Sequence, residues 1–109
     1  MKDNRKQFLY KLKVTRLEML TDGPSLEEGE VLADHMSYLQ RLSADGTVLM
    51  AGRTQTTDES TFGIVIFLAE SEEDAVAVMN RDPAVSEGLM SATLFPYAIA
   101  TVSAKILEQ

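Results

Sequence analysis

The middle of the chain reads Thr47-Val-Leu-Met-Ala-Gly-Arg-Thr-Gln55, then Thr56-Thr-Asp-Glu-Ser-Thr61, then Phe62-Gly-Ile-Val-Ile-Phe-Leu-Ala69. Two apolar runs joined by a short polar segment predict a β-hairpin, and what flanks it decides the fold. On the N-terminal side, Pro24 to Gly46 carries Val31, Leu32, His35, Tyr38, Leu39 and Leu42 at spacings that share one helix face. Ser25 can cap that helix with Glu28 at the capping-box position, and Gly46 ends it. Further out, Gln7 to Thr15 alternates, with Phe8, Tyr10, Leu12 and Val14 on one side and Leu9, Lys11 and Lys13 on the other, the period of a half-buried strand.

The C-terminal side mirrors this arrangement. Ser71 opens a second helix with Asp74 at the capping-box position, and Ala75, Val76, Val78 and Met79 supply its buried side. Asp82-Pro83 ends it, because a residue before proline avoids the helical region. Ala84 to Ser91 reads as irregular or as a single turn, and Ala92 to Ser103 as the last strand, with Pro96 marking an edge or bulge. The order β-α-β-β-α-β is the ferredoxin-like, α+β pattern: a four-stranded antiparallel sheet with two helices on one face. Ile64 to Leu68 and Tyr97 to Ala100 are apolar without alternation, as in strands covered on both faces. The helices account for one face, so a homodimer packed through the other is expected.

At 109 residues the chain is expected to be one domain, 1–109, with residues 1–6 a flexible tail. It has no cysteine, so disulfides, thiolate metal sites and cysteine nucleophiles are excluded. The charged start, Met-Lys-Asp-Asn-Arg-Lys-Gln, is unlike a signal peptide, and no run is apolar for the length of a bilayer, so a cytoplasmic protein is expected with no membrane partner. Seventeen acidic residues against ten basic ones give a net charge of −7, which argues against nucleic acid. Six of the ten basic residues fall within the first sixteen positions, either as a rim attracting an anionic small molecule or as a solvated tail and strand.

Familiar catalytic classes can be checked against this short inventory. One histidine and no cysteine rule out a metal site rich in either, and no acidic loop has calcium or magnesium spacing. No glycine-rich phosphate cradle and no Gly-x-Ser-x-Gly occur, and nothing marks out Ser37, Ser43 or Ser86 as a nucleophile. Neither a metal nor a cofactor is expected. What remains is the solitary His35, on an apolar stripe where an uncompensated imidazole is costly, and Asp82, which the topology brings toward it. A carboxylate on Nδ1-H would fix the tautomer and raise the basicity of Nε2, the arrangement of a general acid/base. The other reading is a satisfied core histidine, with Asp82 capping a turn.

The words Phe8-Leu-Tyr-Lys-Leu12, Arg16, His35-x-x-Tyr38, Gly46-Thr-Val48, Gly52, Phe62-Gly63, Asp82-Pro-Ala84, Gly88 and Phe95-Pro96 stand in an order that resembles the YCII-related (YciI-like) family. The resemblance runs from about Phe8 to Val102. It implies a ferredoxin-like fold of the dimeric α/β-barrel superfamily, with His35 and Asp82 matching a proposed active-site pair. A few relatives are dehydrochlorinases of small aromatic compounds. The chain departs from the pattern at Gly52-Arg53, where members often have Gly-Pro, and at Val14-Thr15, where many have a proline pair. Both departures adjoin the expected pocket, so no relative's substrate is carried over.

Four further residues are candidates for substrate binding. Arg16 could grip a carboxylate or phenolate bidentately, or form a salt bridge with one of the many acids. Tyr10 could face His35 and orient the imidazole or the ligand, or be core with its hydroxyl satisfied. Tyr38 has the same two readings, and Arg53 could close the pocket or be a solvated hairpin residue. The expected function is small-molecule chemistry of elimination or isomerisation type on an anionic or aromatic metabolite. The alternatives are a noncatalytic ligand-binding or sensor domain and a structural subunit.

Overall fold

A computed structural model describes residues 3–108. Met1 and Lys2, part of the expected tail, lie outside the described residues. The elements are β1 (Lys6–Val14), α1 (Glu18–Thr21), α2 (Leu26–Ala44), β2 (Val48–Arg53), β3 (Gly63–Ala69), α3 (Glu72–Arg81), α4 (Pro83–Ser86), β4 (Met90–Pro96) and a 3-10 turn (Ala104–Glu108). The sheet order is β2-β3-β1-β4, with every neighbouring pair antiparallel. The β-α-β-β-α-β scheme is present, with two short helices, α1 and α4, added in its connections.

Local chemistry sets the helix ends. Ser25 accepts the Glu28 backbone N–H at 3.1 Å while Glu28 accepts the Ser25 N–H at 2.8 Å, a complete capping box on α2. At the other end Gly46 takes φ +84°, a conformation that glycine adopts without Cβ strain, and lets the Thr47 N–H reach the Leu42 carbonyl at 2.9 Å. Ser71 caps α3 by accepting the Asp74 N–H at 3.1 Å, without the reciprocal bond.

Alternation then sorts the two faces of the sheet. Phe8, Tyr10 and Leu12 of β1 and Val65, Phe67 and Ala69 of β3 form a core with Tyr38 and Leu39 of α2 and Ala75 of α3. The Tyr10 and Phe67 rings meet edge to face at 5.5 Å. The opposite face presents Leu9 opposite Ile66, and Ile66 opposite Met50, with Phe95 across from Leu9 on the other side. No helix packs against that face in the core cluster, and Met50 and Phe95 stay exposed.

Three expectations are corrected. The last strand ends at Pro96, not Ser103: proline brings no N–H to the ladder, and beyond it the hydrogen bonds to the sheet among the described residues are Tyr97 N–H to the Gln7 carbonyl (3.1 Å) and Ile99 N–H to Gln7 Oε1 (2.7 Å). Tyr97 to Ala100 is therefore not a strand buried on both faces, and the run that remains is Ile64 to Leu68 in β3. The second strand is shorter than Thr47 to Gln55 and carries an irregularity between Val48 and Met50. Val76, expected on the buried side of α3, is exposed; a ten-residue helix resting on the sheet through Ala75 has room for few inward positions.

The caps give a test. Ser25→Ala is expected to cost about 1 kcal/mol in urea unfolding, more than Ser71→Ala, because it opens a reciprocal box; equal, negligible losses would contradict this account of the α2 start.

Candidate functional site

Asp82 stands where α3 gives way to α4, and its sequence context explains why. Pro83 forbids helical backbone before it, so Asp82 takes an extended conformation (φ −62°, ψ 122°), ending α3 and serving as N-cap of α4 with proline as the first helical residue. Its Oδ1 accepts the Ala84 N–H at 3.0 Å. The side chain turns inward and is fully buried. There Oδ2 accepts the Tyr10 hydroxyl at 2.8 Å, and Oδ1 lies 2.6 Å from Nδ1 of His35. Three separate elements, β1, α2 and the α3–α4 junction, converge on one carboxyl group.

A buried carboxyl is costly unless its oxygens are occupied, and here both are. Peptide N–H and phenol O–H face it as donors, so the acceptor form of Asp82 fits the site and Nδ1 of His35 fits as the third donor. The imidazole is mostly covered, with its side chain 12% exposed. Among the described residues Nε2 meets no hydrogen-bond partner and no buried side-chain nitrogen or oxygen lacks one, so Nε2 touches solvent. The ring is thus held at one nitrogen and free at the other. Burial, and then the charge of Asp82, push the Tyr10 phenol well above its ordinary value.

The other candidates are distributed differently. The Tyr38 hydroxyl donates to the Val78 carbonyl at 2.6 Å, tying α2 to α3, and burial with the charge of Asp82 raises its pKa. Tyr10 reaches Asp82 rather than His35. Arg16 forms a two-point ion pair with Glu28, Nε to Oε2 at 2.9 Å, one of the two arrangements its sequence context allowed. That pairing holds the Glu28 carboxyl down at about 2. Glu28 lies two helical turns before His35 on the same stripe of α2. Arg53 is exposed at the end of β2, opposite Gly63, and makes no ion pair among the described residues.

Two open grooves run between α2 and the α3–α4 segment, one lined by Ser37, Tyr38, Arg41 and Arg81, the other by Glu27, Glu30, Val31 and Glu87, with Asp34 and Pro83 in both; His35 lines neither. Among the described residues no three histidine, aspartate or glutamate side chains gather as a metal site, and no helix is long and apolar enough to cross a membrane. The sequence offers Asp82 as the cap of a turn without naming the Ala84 N–H as the group it meets, and a salt bridge for Arg16 without marking Glu28, a helix-capping residue, as its acid.

The model of the YCII-related domain matches residues 16–96, a span that includes both His35 and Asp82. The chain belongs to the YCII-related family. No protein of curated function matches it significantly. Among solved structures, it is similar to a 5-chloro-2-hydroxyhydroquinone dehydrochlorinase from Burkholderia phenoliruptrix AC1100, in complex with 2,5-dihydroxybenzoquinone, at a TM-score of 0.62 and 24% identity over 84% of this chain and 93% of that one. The likeness supports the ferredoxin-like α+β fold for this YCII-related chain.

Removing Asp82 should hurt the fold more than removing His35. Asp82→Ala strands the Tyr10 hydroxyl and the Ala84 N–H in the interior, an expected loss of about 3 kcal/mol or more, whereas His35→Ala leaves the carboxylate two donors and costs markedly less; matched losses in chemical unfolding would contradict the network. The Arg16–Glu28 pair has its own pH signature. A carboxyl depressed from 4.5 to about 2 adds stability that is complete above the ordinary value and disappears as pH falls toward 2. Wild type should therefore exceed Glu28→Gln at neutral pH and converge with it in acid melts, and a pH-independent difference would refute that coupling.

Proposed function

We propose that this YCII-related protein is a small-molecule enzyme in which His35 acts as general acid/base, oriented by Asp82, in elimination or isomerisation chemistry. The observation that carries the reading is the asymmetry of the imidazole: Nδ1 meets a sealed carboxylate and Nε2 opens outward. In an elimination, Nε2 takes a proton from the substrate, the released electron pair forms the new double bond, and the leaving group departs with its own pair. In an isomerisation, the proton returns to a different atom. The imidazolium formed in either case sits against Asp82, which stabilises it.

An anionic or aromatic small molecule fits the reading best. The structurally similar dehydrochlorinase is an elimination enzyme seen with a dihydroxybenzoquinone, and Arg16 and Arg53 are the cations proposed to meet a ligand, Arg16 after exchanging its partner Glu28. Tyr38, whose hydroxyl is committed to Val78, would contribute ring surface. The net charge of −7 disfavours nucleic acid. A homodimer through this sheet face belongs to the same proposal, supported by Met50 and Phe95, which are exposed beside the buried Ile66 on a face with no helix against it among the described residues.

His35 is the chain's single histidine, so its ring signals report the site without assignment. In NMR titrations with hydroxylated benzoquinones and small hydroxy and keto acids, at least one class should shift those signals, and His35→Gln should fold while losing turnover of that compound by about 100-fold or more. Binding that leaves the His35 signals unmoved would count against the assignment. Light scattering after size exclusion should give the mass of two chains, reduced to one in Phe95→Lys, whereas a wild-type monomer at micromolar concentration would remove the dimer.

A further inference from the structure

The Tyr10 hydroxyl is the most deeply buried polar group on β1, and no argument from packing requires it. Phenylalanine would fill the same space against Phe67, as Phe8 does one pleat away. A hydroxyl in an apolar core is unfavourable unless bonded, and its partner is the oxygen of Asp82 that His35 and Ala84 leave unoccupied. β1 is paired on both sides, by β3 and by β4, so the ring is held on one of the two central strands of the sheet. Tyr10 also lies outside the segment matched by the family model.

We infer that Tyr10 is a positioning residue that sets the basicity of His35 through Asp82. The inference rests on the reading of His35 and Asp82 as an acid/base pair and adds a third member to it. By donating to Oδ2, the phenol draws negative charge away from Oδ1 and fixes the plane of the carboxylate. Oδ1 then holds an imidazolium less tightly than an unassisted carboxylate would, and Nε2 releases the proton it has taken more readily. Tyr10 itself is no proton donor in the reaction. Burial first, and the charge of Asp82 second, push its phenol far above neutrality, so it stays a donor throughout the range in which an imidazole titrates. The ionisable groups around the pair are Asp82 at the α3–α4 junction, Tyr10 from β1 and Tyr38 from α2, with Arg41 and Arg81 standing against Tyr38.

The test reads the ring protons of His35 against pH in wild type, Tyr10→Phe, Asp82→Asn and the double variant. Tyr10→Phe should raise the His35 midpoint by a few tenths of a pH unit, Asp82→Asn should lower it, and in the Asp82→Asn background the Tyr10 change should have no further effect. A midpoint unmoved by Tyr10→Phe but lowered by Asp82→Asn overturns the role of Tyr10 and leaves the acid/base pair standing. A midpoint unmoved by either removes both. If Tyr10→Phe does not fold, 3-fluorotyrosine at position 10 keeps the hydroxyl and strengthens it as a donor. It should then lower the midpoint, and no change would overturn the inference.

Discussion

A carboxyl group sealed inside the protein organises this molecule. Asp82 brings a side chain that water would otherwise solvate into a site with no solvent contact, and three donors from three elements replace the water. None of the donors is local in sequence except Ala84. The Tyr10 bond spans 72 positions and the His35 contact 47, so the site exists only when the sheet, α2 and the α3–α4 junction are all in place. Folding and assembly of the site are therefore one event, and the polar centre ties together layers that the hydrophobic effect alone would press together without fixing their register.

The same architecture explains why the imidazole has two unlike nitrogens. Its ring lies on an apolar stripe of α2 whose neighbours, Tyr38 and Leu39, are buried. The stripe turns the ring toward the sheet, Asp82 holds one nitrogen, and the other is left at the boundary with solvent. One held and one open is what proton transfer requires.

Much of this was legible in the residues. The hairpin from Thr47 to Ala69, the Ser25–Glu28 box and the alternation of β1 follow from periodicity and capping, which are local, and local rules hold when tertiary structure agrees with them. The end of β4 was not legible because Tyr97 to Ala100 has strand-like composition, while its backbone pairing is decided by Pro96 and by a side chain of Gln7, far away in sequence. At the site, the His35–Asp82 contact followed from topology and from the absence of rivals, since the chain holds one histidine and no cysteine. The direction of the Tyr10 hydroxyl did not follow. Alternation places that residue on the inner face but says nothing about which of two nearby polar groups its oxygen meets.

The central proposal is that Asp82 holds the ring proton of His35 on Nδ1 and leaves Nε2 as the basic nitrogen. The nitrogen chemical shifts of this single imidazole, read by long-range proton–nitrogen correlation in the wild-type protein above the ring's titration, test it most directly. The account predicts a protonated Nδ1 and a bare Nε2; a bare Nδ1 with the proton on Nε2 would contradict it.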